Sequence, residues 1–119
     1  MIYDIVLTPF PFDDFSEIKI RPAVVLSGII GKHEHIVIAY ISSQIDKTPD
    51  EFDVLLSKSD PDFKETGLRL DSVIKIHRLV AILLSFIKKT LGKLPDAHQP
   101  SIHKKLISLF QIKNTNGGQ

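Results

Sequence analysis

The sequence predicts a mainly β domain, a small antiparallel β-barrel with helices at its C-terminal end. Three observations predict it. Five short segments rich in Ile, Val and Leu succeed one another between Tyr3 and Val80. Pro, Gly or clustered polar residues separate each segment from the next. Beyond Ala81 the apolar residues shift to helical spacing. Strands in succession followed by late helices point to such a barrel.

The first strand is expected over Tyr3 to Thr8. Pro9, Phe10, Pro11 and Phe12 follow, then Asp13 and Asp14. Prolines this close interrupt a hydrogen-bonded ladder, and the acids favour turns. Residues 9–20 are therefore expected as a loop carrying Phe10, Phe12 and Phe15. Phe10 and Phe12 are expected to plug the barrel's open end. Pro22 opens a second strand, Ala23 to Ser27, apolar almost throughout. Gly28 to Glu34 reads as a turn and His35 to Ser42 as the third strand. A polar loop, Ser43 to Asp50, precedes a fourth strand at Glu51 to Leu56. Ser57 to Arg69, with Pro61 and Gly67, reads as a long exposed loop. In Ser72 to Val80, Val73, Ile74, Ile76 and Leu79 stand against Lys75, His77 and Arg78, the mark of a fifth strand. Ser85 to Leu91 is expected as a short helix stopped by Gly92 and Pro95. Asp96 is placed to cap a final helix bearing Ile102, Leu106, Leu109 and Phe110. No linker or repeat divides the chain. Residues 1–113 thus read as one domain and 114–119, polar and Gly-rich, as a flexible tail.

Composition narrows the function classes. With 119 residues, 43% of them hydrophobic, the chain can bury one core. It has no Cys, which excludes disulfides, thiolate metal sites and a Cys nucleophile. A net charge of +1 excludes a strongly basic nucleic-acid coat, so any nucleic-acid contact must come from a local patch. Met1 leads straight into a strand pattern with Asp4, without a secretory signal. The longest apolar stretch, Leu79 to Ile87, is too short to span a bilayer. The expectation is a cytoplasmic protein with no membrane association.

Arg21 is the first residue to single out. It is a cation at the head of a buried strand, fixed by Pro22. A surface ion pair with Asp13, Asp14 or Glu17 accounts for it nearly as well as a functional role. His33 and His35 form an H-x-H pair with no evident third ligand, and surface histidines are the simpler reading. Asp60 and Asp62 flank Pro61 and read as solvated carboxylates. Lys88 and Lys89 read as surface charges of the short helix. No phosphate loop, dinucleotide fingerprint, nucleophile elbow or helix-turn-helix is present.

Four blocks in order resemble the MazF/PemK-like toxins of type II toxin–antitoxin systems, within the Kid/CcdB superfamily. The first joins Asp4-Ile5-Val6-Leu7-Thr8-Pro9-Phe10-Pro11-Phe12 to Arg21-Pro22-Ala23-Val24-Val25-Leu26-Ser27. The second is Ile41-Ser42-Ser43-Gln44, the third Gly67-Leu68-Arg69-Leu70-Asp71-Ser72-Val73-Ile74, and the last Phe86-Ile87-Lys88-Lys89-Thr90-Leu91-Gly92-Lys93-Leu94. The resemblance implies an SH3-like barrel that forms a homodimer. It implies a metal-independent, sequence-selective endoribonuclease acting on single-stranded RNA such as mRNA, with no cofactor. It also implies a cognate antitoxin whose partly disordered segment fills the RNA groove.

Cleavage without a metal uses the 2′-hydroxyl as nucleophile. The protein must then stabilise a dianionic phosphorane-like centre and move protons. On the resemblance, Arg21 grips the phosphate, since a guanidinium is always charged and binds two oxygens in a fork. Ser42 stands where the family commonly has Thr, and its hydroxyl can donate to a phosphate oxygen. Lys75 and His77 stand where some members carry Arg and Asp. Their i, i+2 spacing puts both on one strand face, where they are expected to hold phosphate or transfer protons. Arg78 is expected on the opposite face. Phe15 is a candidate for stacking on a base, and Lys19, Ser43 and Gln44 for contacting RNA. The substitutions at Ser42, Lys75 and His77 leave two other readings open. One is a non-catalytic barrel that grips a protein target such as a topoisomerase. The other is a degenerate toxin that only retains its antitoxin.

Overall fold

A computed structural model describes residues 1–11 and 18–113. Strands β1 (Asp4–Pro11), β2 (Ile18–Val25), β3 (His35–Ser42), β4 (Asp53–Leu56), β5 (Ser72–Leu83) and β6 (Lys89–Lys93) form one sheet, and helix α1 (Gln99–Phe110) follows. The strand order is β4-β5-β3-β2-β1-β6. Every pairing is antiparallel. The sheet curls into a half-barrel. Its two outer strands are linked through the short 3-10 turn Phe63–Thr66, which follows β4 and lies against β6.

The curl has a local cause. A Cβ on Gly92 of β6 would stand 2.2 Å from the Glu65 carbonyl oxygen, and one on Gly67 would stand 2.1 Å from that of Leu91. Two glycines therefore let backbone approach backbone where the edges meet. Gly67 also needs its glycine for conformation, with φ at +74° as it closes the 3-10 turn.

The interior of the curl holds the larger core. Ile5, Val24, Ala39, Ile41, Val54, Leu56, Ile74 and Ile76 come from the strands, Phe63 from the 3-10 turn, and Leu94 and Ile102 close the end. The opposite face carries a second cluster built on Val6, Phe10, Ala23, Val25, Ile36, Ile38 and Ile82. Alternation along each strand sends neighbouring residues to the two clusters, as Ile5 and Val6 or Val24 and Val25 show.

The structure corrects several expectations. Residues 9–20 are not all loop, because β1 continues to Pro11 and β2 begins at Ile18, with Phe10 opposite Lys19. The prolines are tolerated because β6 pairs with β1 only from Asp4 to Leu7, which leaves Pro9 and Pro11 on an edge. The short helix expected over Ser85–Leu91 is replaced by a 3-10 turn, Leu84–Phe86, and the sixth strand. Pairing with β1 outweighs the local helical pattern there. The fifth strand runs on to Leu83. Asp96 does not cap α1. It opens a 3-10 turn ending at His98, and Pro100 in the first turn of α1 starts the helix. Ile102 is fully buried and Leu106 and Leu109 pack on the core, but Phe110 is 60% exposed. The 114–119 tail lies outside the described residues.

Candidate nucleic-acid groove

Register places the site. Ala23 of β2 pairs with Tyr40 of β3. Arg21 lies two residues before Ala23 and Ser42 two after Tyr40, so all four side chains share a sheet face. The chain following β4 supplies the facing wall through Leu68, Arg69 and Leu70. The result is a groove of about 440 Å³ whose floor and rims include Arg21, Tyr40, Ser42, Gln44, Arg69 and Ser72. Ser43 lies on its rim as well.

Arg21 is half-buried, and its guanidinium donates to the Ile20 carbonyl oxygen at 3.3 Å. No carboxylate of the described residues pairs with it. Asp13, Asp14 and Glu17, the acids weighed as partners, lie outside those residues. Ser42 is buried, and its Oγ accepts the Gln44 N–H at 3.0 Å. The hydroxyl also donates weakly to the Gln44 carbonyl oxygen at 3.5 Å, so an acceptor entering the groove draws the proton from that long bond. Ser72 differs, since its hydroxyl donates to the Leu70 carbonyl at 2.8 Å and holds the facing wall.

Arg69 escaped the sequence reading as a site residue. It belongs to the Gly67–Ile74 block, and its signal is weak: one cation between Leu68 and Leu70, two residues after a left-handed glycine. Arg21 and Arg69 carry the formal charges of the described groove lining, which includes no Asp, Glu, His or Lys. Two guanidiniums and a hydroxyl around an open groove suit an extended anion.

Lys75 and His77 do not line this groove. Between Ala39 and Tyr40 the β3–β5 register shifts, Ala39 facing Leu79 and Tyr40 facing Lys75. Ile76, His77 and Arg78 thus have no opposite residue on β3, and the bulge breaks simple alternation. Lys75 Nζ lies 3.1 Å from Asp53 Oδ2 and 3.8 Å from Asp50 Oδ2. Asp53 is 4% exposed, so the ammonium compensates a buried carboxylate. His77 is exposed and lines a separate hollow of about 310 Å³ with Phe10, Arg78, Leu79 and Val80. The Arg78 guanidinium sits 4.9 Å from the centre of the Tyr40 ring, which in turn packs 5.4 Å from Phe10. Lys19 is exposed on β2, and Phe15 lies outside the described residues.

The chain is thus a curled antiparallel half-barrel stopped by a C-terminal helix, with a groove that carries two guanidiniums. The family model for "PemK-like, MazF-like toxin of type II toxin-antitoxin system" matches residues 2–110, and the chain belongs to that family. Solved structures share the fold. Mycobacterium tuberculosis toxin MazF-mt6 is 16% identical, with TM-score 0.69 over 93% of this chain and 99% of that one. MazF from Deinococcus radiodurans (Form-I) is 18% identical, with TM-score 0.66 over 92% and 94%. An endoribonuclease in complex with its cognate antitoxin from Mycobacterial species is 13% identical, with TM-score 0.67 over 96% and 97%. The curated proteins give no match to this sequence. Among the described residues no helix is long and apolar enough to cross a membrane.

Proposed function

We propose that this type II toxin is a metal-independent endoribonuclease that cuts single-stranded RNA in the groove headed by Arg21. The observation that carries the proposal is the convergence of Arg21, Arg69 and the Ser42 hydroxyl on one groove without a carboxylate among its described lining. In the reaction the 2′-oxygen attacks the adjacent phosphorus and the bond to the 5′-oxygen breaks. The products are a 2′,3′-cyclic phosphate and a 5′-hydroxyl. The Arg21 fork stabilises the charge that builds on the non-bridging oxygens. The Ser42 hydroxyl donates to one of them. Ser43, Gln44 and Lys19 contact the flanking strand. Lys75, held by Asp53, keeps a structural role, and His77, in its separate hollow, stays outside the reaction, so the 2′-hydroxyl proton leaves to water and water protonates the departing 5′-oxygen.

The toxin acts in the cytoplasm as a homodimer neutralised by a cognate antitoxin. Two similar structures support the antitoxin, the Mycobacterial complex above and a MazE-MazF structure from Deinococcus radiodurans. An apolar hollow beside Ile18 and Phe86, 67% and 44% exposed, supports self-association.

The test is a purified-protein assay on mixed-sequence single-stranded RNA in EDTA. Cleavage with cyclic-phosphate ends is expected. Arg21→Ala should lower the rate by about 10²–10³-fold, the usual loss of one transition-state donor, without loss of fold. Intact RNA, or cleavage undiminished in that variant, overturns the proposal. The groove's lack of a described titratable base favours one rival, a barrel that grips a protein target. Toxicity retained in cells by Arg21→Ala would select it.

A further inference from the structure

Outside the groove, three side chains converge from two parts of the chain. Asp60 and Asp62 precede the 3-10 turn at Phe63. His98 ends the turn that leads into α1. One ligand-type atom of each lies within 4.8 Å of the others. We propose that Asp60, Asp62 and His98 bind a divalent first-row transition ion of the zinc type, which clips the groove's outer wall to the C-terminal helix.

The geometry fits an ion as well as an ion pair. His98 Nε2 and Asp60 Oδ2 stand 3.5 Å apart. That is long for a hydrogen bond. It is close to the edge of a tetrahedron with bonds of about 2.0–2.1 Å, roughly 3.3 Å. All three side chains are part-buried, and their backbones are held before any ion arrives. Phe63 N–H donates to the Asp60 carbonyl at 3.1 Å, Glu65 N–H to that of Asp62 at 3.0 Å, and His98 N–H to that of Pro95 at 3.0 Å. Ser57 N–H also donates to Asp60 Oδ2 at 3.2 Å, orienting the carboxylate. Two carboxylates balance a dication, and the imidazole selects zinc-like ions over calcium or magnesium, which prefer oxygen.

The position gives the ion a consequence. Asp62 is followed by the turn whose exit, Gly67, leads directly to Leu68, Arg69 and Leu70 of the groove wall. None of the three ligands lines the groove, so the ion is structural and takes no part in cleavage.

The experiment uses the full chain without an affinity tag, titrated with Zn²⁺. One equivalent is expected to bind, raising the melting temperature in proportion to the logarithm of free zinc. Long-range ¹H–¹⁵N spectra should show the His98 imidazole, among the five histidines, shifting on binding. His98→Ala and Asp62→Asn should each weaken binding at least tenfold. The His33→Ala/His35→Ala double variant should leave it unchanged. No binding to the wild-type chain, or a shift of His33 and His35 with His98 unmoved, overturns the proposal. The imidazole spectrum decides the matter on wild-type protein even if a variant fails to fold.

Discussion

Arg21 and Arg69 face one groove from different sides of the fold, and their contexts give them different work. Arg21 stands on a strand, its register fixed by the Ala23–Tyr40 pair, and suits a contact that must be held in place. Arg69 is exposed on a connection and, with RNA in the groove as proposed, suits a phosphate further along that strand. Arg69→Ala should therefore weaken binding of a non-cleavable 2′-O-methyl RNA about equally for all sequences. The slope of log affinity against log salt should fall by roughly 0.7, the value for one phosphate contact on a single strand. Fluorescence anisotropy across a salt series measures it, and an unchanged slope would remove Arg69 from the interface. Arg21 was legible in the sequence because Pro22 and an apolar run follow it. Arg69 was not, because no local pattern distinguishes a groove cation from a solvated one.

At the scale of elements, the sharpest constraint is the crossing of β6 with the 3-10 turn Phe63–Thr66. Thr66 is fully buried there, its hydroxyl donating to the Phe63 carbonyl at 2.7 Å and accepting from Leu68 N–H at 3.0 Å. Gly92→Ala would push a methyl into the Glu65 carbonyl, a backbone atom that cannot rotate aside. The cost should be about 1–3 kcal/mol. Denaturant unfolding measures it, and a neutral effect would mean that the two edges are held apart in solution. Pairing with β1, not local pattern, makes the sixth strand. Ser85 to Leu91 has an apolar spacing that suits a short helix, yet β1 offers a free edge from Asp4 to Leu7. The bulge in β5 was equally hidden. Alternating residues announce a strand but not where its register slips, so Lys75 and His77 were grouped by spacing and are separated by the pairing.

For the whole molecule, α1 is the stopper of the half-barrel. Ile102 is fully buried with Leu94 against the strand core, and Lys105 Nζ donates to the Glu51 carbonyl at 2.6 Å. The Tyr3 hydroxyl meets His103 Nε2, and burial raises the Tyr3 pKa, so the phenol stays protonated through neutral pH. Ile102→Ala should cost about 2–5 kcal/mol and lower the midpoint of a single cooperative transition. A separate early transition confined to helical signal would show that α1 folds independently. The sequence by itself determined the β-rich class, the strands from β1 to β5 and the closing helix. These follow from apolar periodicity, turn residues and proline placement, which are local properties. Arg21, expected just ahead of its strand, lies in the middle of β2, which begins at Ile18. Only the tertiary structure decided the sixth strand, the company Arg21 keeps, and the meeting of Asp60 and Asp62 with His98. Each of these joins residues far apart in the chain, and such pairings are set by sheet register and close backbone packing, not by any neighbouring residue.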